Sequence, residues 1–85
     1  MESASKRFVY ILKTIREPAS YYVGLTSNVR ARLDEHNAGR CPHTVSRRPW
    51  RLHVTMAFSD ERIASRFERY LKSSSGRAFA KYHFE

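Results

Sequence analysis

Residues 8–25 read "FVYILKTIREPASYYVGL". Two aromatic and β-branched runs, 8–12 and 21–25, have strand-forming composition. The polar "KTIREPAS" between them carries the Pro and Ser of a hairpin connection longer than two residues. An antiparallel pair is expected. With the hairpin centred near Arg16, Tyr10 falls opposite Tyr22, and directly opposite residues share one sheet face. Two phenols would then stand on one surface, while Tyr21 faces the other way and packs.

Working outward, "TSNVRARLDEHNAG" (26–39) offers Thr26, Ser27 or Asn28 as a helix cap and Gly39 as a stop, with Val29 and Leu33 at i, i+4 for the inward stripe. Arg32 and His36 lie within roughly 60° of that stripe, so they flank the inward face, and Arg30, Asp34 and Glu35 project elsewhere. The aperiodic "RCPHTVSRRPW" (40–50) is a basic loop able to follow a nucleic-acid backbone. "WRLHVTMAF" alternates, predicting a strand with Trp50, Leu52, Val54, Met56 and Phe58 on one face and Arg51, His53 and Thr55 on the other. Ser59 or Asp60 then caps a helix whose apolar arc is Ile63, Ala64, Phe67, Tyr70 and Leu71, with Glu68 at its edge. "SSSG" at 73–76 is a flexible joint or turn, and weaker helical character around Ala78, Phe79 and Tyr82 gives a short final helix. The expected fold is α/β of the α+β kind, a small three-stranded, mainly antiparallel sheet flanked by helices in the order β-β-α-β-α-α.

At 85 residues the chain is one domain with a compact core. Sixteen Lys and Arg against eight Asp and Glu give a formal net charge of +8, a field that attracts polyanions, nucleic acid first among them. A basic protein without a nucleic-acid partner is the plainer alternative. The longest purely apolar run, "FVYIL", has five residues, far below the roughly 20 that cross a bilayer. The start "MESASKR" lacks the apolar segment of a secretory signal, and a single Cys41 forms no internal disulfide, so a reducing, cytoplasmic setting is expected. Cys41 with His43 is too sparse for zinc. His43, His53 and His83 read as surface or loop residues rather than ligands, and Asn37 as an extension of the helix end. Arg47, Arg48 and Arg51 read as a solvated basic patch whose contacts, if any, go to phosphates.

In order, "VYI" (9–11), "YVG" (22–24), Arg32 and His36 on the next helix and Glu68 on the following one resemble the GIY-YIG nuclease superfamily. The N-terminal cleavage domain of the bacterial excision-repair nuclease, homing endonucleases and some restriction enzymes share this core. The likeness spans about residues 7–72, with 73–85 as a C-terminal helix. Val9 replaces the first Gly of the family name and Val23 the second Ile, neither removing a chemical group. Leu25 stands where some relatives carry a tyrosine-orienting lysine.

The resemblance implies a divalent-metal-dependent endonuclease that hydrolyses DNA, structure-specific in repair or recombination, with Tyr10, Tyr22, Arg32, His36 and Glu68 as catalytic residues. Tyr10 and Tyr22 would both position the scissile phosphate, one of them helping to activate a water, Arg32 would bind that phosphate, His36 would support a tyrosine or the proton transfer, and Glu68 would hold one Mg²⁺ or Mn²⁺. Arg32, Arg40, Arg47 and Arg48 are the candidate nucleic-acid contacts, and a partner protein for targeting is a further expectation. A planar guanidinium suits phosphate charge, and one carboxylate suffices for Mg²⁺. Tyrosine's ordinary pKa of about 10 leaves little phenolate at neutral pH, so either Tyr10 or His36 remains the candidate base. A nucleic-acid-binding module of the same fold with little turnover, and a basic protein-interaction domain, are the competing readings.

Overall fold

The computed structural model describes residues 5–85; the reading of the N-terminus falls partly on residues 1–4, outside the described residues. Strand β1 (Phe8–Thr14) takes the centre of a three-stranded antiparallel sheet of order β2-β1-β3, between β2 (Tyr21–Thr26) and β3 (Trp50–Ala57). Its composition explains the position. Val9, Tyr10, Ile11 and Leu12 are all buried, a continuous run that suits only a strand covered on both faces. Helix α1 (Val29–Asn37) covers one face, and α2 (Glu61–Leu71) and α3 (Ser74–Phe84) cover the other. The order is β-β-α-β-α-α, as expected.

The hairpin register differs from expectation by two residues. Tyr10 pairs with Gly24, and Tyr22 with Leu12. The cause is the connection: Thr14 N–H bonds the Ser20 carbonyl (3.0 Å) and Ser20 N–H bonds Thr14 Oγ1 (2.8 Å), which centres the hairpin on Glu17 rather than Arg16. An even shift preserves side-chain parity, so both tyrosines still share a face as diagonal neighbours.

The third strand departs further. Ile11 pairs with Val54 but Leu12 with Leu52, so His53 is an extra residue in a β-bulge. The bulge flips the parity. Trp50 packs with Tyr10 and Leu12 on the α1 side, whereas Val54 and Met56 join Val9, Ile11, Ala64 and Leu71 on the other. The expected single apolar face of 50–58 is therefore divided between two cores. His53 itself is half-buried against Tyr21, ring centroids 5.6 Å apart, and bonds the Phe84 carbonyl.

Local signals set the helix ends. Asn28 caps α1 through Ala31 N–H (3.0 Å), and Gly39, at φ +82°, ends it in a conformation that favours glycine. Asp60 caps α2 through Arg62 N–H (2.7 Å). The arc of α2 is narrower than expected: Ala64 and Leu71 are buried and Phe67 partly so, but Ile63 and Tyr70 are 43 % and 39 % exposed. "SSSG" is no joint. Ser73 caps α3 through Gly76 N–H (3.2 Å), and the helix runs on for 11 residues, longer than the short helix expected. A Cβ on Gly76 would lie 1.7 Å from the Tyr70 carbonyl oxygen, so only glycine lets α3 turn this tightly off α2. The loop at 40–50 holds a short 3₁₀ turn, Val45–Arg47. No helix among the described residues is long and apolar enough to cross a membrane.

Candidate active site

The α1 face of the sheet buries polar groups as deeply as the apolar Leu12 and Trp50 beside them. Tyr10 projects across β2 directly over Gly24, where a Cβ would lie 2.3 Å from both the phenol Cζ and its oxygen. The glycine of "YVG" is thus the space that Tyr10 occupies. The Tyr10 hydroxyl reaches His36 Nε2 at 2.9 Å, and His36, fully buried, is the one buried residue of α1. Tyr22 closes the cluster, with its ring 5.0 Å from His36 and 6.5 Å from Tyr10.

Behind His36 lies a residue that the sequence did not single out. Thr44, fully buried, places Oγ1 at 2.8 Å from His36 Nδ1 and 3.3 Å from the Cys41 carbonyl. Trp50 Nε1–H donates to the Thr44 carbonyl at 2.8 Å. The backbone N–H groups of Thr44 and Val45 both donate to the Cys41 carbonyl at 3.1 Å. Asn37, expected only to extend the helix, clamps the start of β3: its amide donates to the Trp50 carbonyl (2.9 Å) and accepts from Trp50 N–H (2.7 Å). These bonds make the 40–50 loop a rigid back wall.

Burial pushes the Tyr10 phenol up to about 12, against the nearby Arg32 guanidinium, which works to lower it. Burial also depresses His36, and the Arg32 charge adds to the effect. Both groups are therefore neutral at pH 7. Arg32 donates to Glu35 at 2.9 Å, and Glu35 is held below the usual carboxylate range by that pairing. Glu35 was expected to project elsewhere; its i, i+3 spacing from Arg32 was the available signal.

Glu68 sits on α2, the helix that packs on the other face of the sheet. Its side chain is 16 % exposed and pairs with Lys72 at 2.8 Å, and Lys72 Nζ in turn lies 5.5 Å from the centre of the Tyr22 ring. Lys72 links the carboxylate to the tyrosine, an i, i+4 neighbour of Glu68 that sequence reasoning overlooked. Leu25, by contrast, packs into the core on the far face, remote in orientation from the tyrosines.

No group of three His, Cys, Asp or Glu converges among the described residues. A cation held at Glu68 would take one protein carboxylate and complete its shell with water and phosphate oxygens, a donor set that suits Mg²⁺.

The four candidate nucleic-acid arginines divide. Arg32 lies near enough to Tyr10 for its charge to act on the phenol; Arg40 is exposed beyond α1. Arg47 is exposed and donates to Ser20 Oγ at 2.7 Å. Arg48 is directed into its own loop, donating to the Val45 carbonyl (2.8 Å) and the Asn37 carbonyl (3.4 Å).

The model of the GIY-YIG catalytic domain matches residues 6–83. A UPF0213 protein of Listeria monocytogenes is 40 % identical over 76 residues, covering 88 % of this chain and 82 % of its own. One from Staphylococcus haemolyticus is 40 % identical over 72 residues, 84 % of this chain and 85 % of its own. One from Bacillus licheniformis is 36 % identical over 83 residues, 96 % of this chain and 82 % of its own. No solved structure matches the chain. With the match running almost end to end over a β-β-α-β-α-α fold, the chain belongs to the GIY-YIG catalytic-domain family, a superfamily of nucleases.

Proposed function

We propose that the chain is a divalent-metal-dependent endonuclease that hydrolyses DNA phosphodiester bonds, acting on branched, flapped or damaged structures in repair or recombination. One observation carries this reading: the Tyr10 hydroxyl lies 2.9 Å from Nε2 of the fully buried His36 imidazole, with the Arg32 charge acting on the phenol.

Hydrolysis needs a proton taken from water and negative charge stabilised on the phosphate. Tyr10, with its pKa near 12, is a poor phenolate source by itself. Joined to His36 it becomes a relay. The phenol oxygen takes a proton from the attacking water as its own hydrogen passes to His36 Nε2, so the net base is the imidazole. Arg32 supplies paired donors to the phosphate once it leaves Glu35. Tyr22 orients the phosphate from the other side. Glu68 would hold Mg²⁺ or Mn²⁺, which when bound polarises the phosphoryl oxygen and stabilises the leaving group. Arg40 and Arg47 extend the phosphate contacts.

A second reading, a nucleic-acid-binding module of low turnover, is favoured by the Lys72 ammonium already seated on Glu68. The test is cleavage of labelled linear, nicked, flapped and four-way-junction DNA with Mg²⁺ or Mn²⁺, beside an EDTA blank and Glu68→Ala. Metal-dependent cleavage lost in Glu68→Ala with binding retained supports the nuclease. Salt-sensitive binding without cleavage selects the module.

A further inference from the structure

We infer that Thr44 is a positioning residue of this site, fixing the tautomer of His36 that allows it to receive a proton from Tyr10. The inference rests on the nuclease reading above. Neutral imidazole carries one N–H, and the chemistry depends on which nitrogen bears it. With the proton on Nε2, His36 would donate to Tyr10 and accept nothing from it. With the proton on Nδ1, Nε2 is the acceptor that the relay requires.

The Thr44 hydroxyl decides between these states because it has one hydrogen and two neighbours. Its oxygen lies 2.8 Å from His36 Nδ1 and 3.3 Å from the Cys41 carbonyl. A carbonyl can only accept, so the Thr44 hydrogen directed at Cys41 leaves the Thr44 oxygen to accept from His36 Nδ1–H. The chain then runs in one direction: Tyr10 O–H to His36 Nε2, His36 Nδ1–H to Thr44 Oγ1, Thr44 O–H to the Cys41 carbonyl. Turning the Thr44 hydrogen towards His36 would reverse the first two links.

The surroundings hold these groups in the geometry that the first arrangement uses. Thr44 and His36 are both fully buried, which shields the chain from bulk water. The Trp50 indole, the Thr44 backbone and the Asn37 clamp hold the loop in place. The same hydroxyl orients the ring, since the imidazole has no other hydrogen-bond partner on its Nδ1 side among the described residues.

Nitrogen-15 NMR of histidine-labelled protein at neutral pH, without DNA or metal, reads the tautomer directly. The expected spectrum places the His36 proton on Nδ1 in wild type and in Thr44→Ser, and a mixture or reversal in Thr44→Val. A wild-type proton on Nε2 overturns the inference whether or not any variant folds. In cleavage assays Thr44→Val is expected to lower kcat by on the order of 10²-fold, the scale of a lost general base, with KM unchanged and Thr44→Ser restoring most of the rate. Unchanged kcat in a folded Thr44→Val also overturns it. If wild type cleaves nothing, the nuclease reading fails while the tautomer measurement still reports on Thr44.

Discussion

The two faces of the sheet are built from one set of strands by opposite rules. On the α2 and α3 side, Val9, Ile11, Ala64 and Leu71 form an apolar core ringed by Phe67, Phe79 and Phe84, where burial alone stabilises the contacts. On the α1 side, Tyr10, His36 and Thr44 are as deeply buried, beside Leu12 and Trp50, with Thr14 and Thr26 slightly less so, and each polar side chain among them finds a partner. No buried side-chain nitrogen or oxygen among the described residues lacks one. A central strand with period 2 can devote alternate residues to folding and to chemistry, and β1 does so. The apolar face tolerates shape-conserving change; the polar face depends on particular atoms.

Variants on the two faces should therefore fail differently. Tyr10→Phe removes one oxygen and keeps the ring over Gly24, and cleavage is expected to fall by roughly 10²–10⁴-fold, the range of general acid–base contributions. His36 Nε2 loses its partner, which costs about 1–3 kcal/mol of stability. Leu71→Ala on the other face should cost about 2–5 kcal/mol through the lost side chain and its cavity, with kcat per folded molecule unchanged. Urea denaturation together with single-turnover cleavage separates the two outcomes. A folded Leu71→Ala protein with impaired kcat would show that the faces are coupled.

The sequence showed the apolar face less faithfully than the polar one. Alternation in 50–58 was regular, but the bulge at His53 depends on β3 pairing with β1 across 40 residues of chain, a tertiary constraint that periodicity does not carry. The Ser73 cap was hidden in what reads as a joint, because tight apposition of α2 and α3 gives Gly76 a role that composition cannot reveal. The clustering of Tyr10, Tyr22 and His36 was legible, since strand parity survives a two-residue slip and helical spacing fixes the side of α1. Thr44 was not: it lies in an aperiodic loop and matters only through the atom it presents to His36. Lys72 and Glu35 stood at i, i+4 and i, i+3 from residues already singled out and were within reach.

Gly24→Ala sharpens the comparison with a single methyl group. The new Cβ would collide with the end of the Tyr10 ring, which must swing away, and overpacking of this kind costs about 1–3 kcal/mol. The swing also draws the hydroxyl off His36. Turnover should fall by about 10²-fold, the effect of an ångström-scale misplacement. A Gly24→Ala protein of normal activity would mean that the phenol position seen here is not the working one.

The smallest expected effect is a pH dependence confined to the polar face. Burial depresses His36 in the folded state, so the unfolded chain takes up a proton first, at about 6.5. The stability linked to His36 is then complete above that value and is lost as pH falls through the depressed folded value, by about 1.4 kcal/mol for each unit of separation. Tyr10 acts at the other end. Its folded pKa of about 12 exceeds the unfolded value of 10.0, so its contribution is complete below 10.0 and is lost as pH rises towards 12. Glu35 and Asp60, both depressed, lose their contributions only in the more acidic carboxylate range. Urea midpoints measured from pH 5 to 8 should decline on the acid side in wild type and flatten there in His36→Asn, while Leu71→Ala lowers the whole curve without changing its shape. Cleavage should weaken on the same acid limb, because a protonated Nε2 cannot receive the Tyr10 hydrogen. A stability curve for His36→Asn parallel to wild type would place the acid dependence elsewhere and remove the electrostatic half of the contrast between the faces.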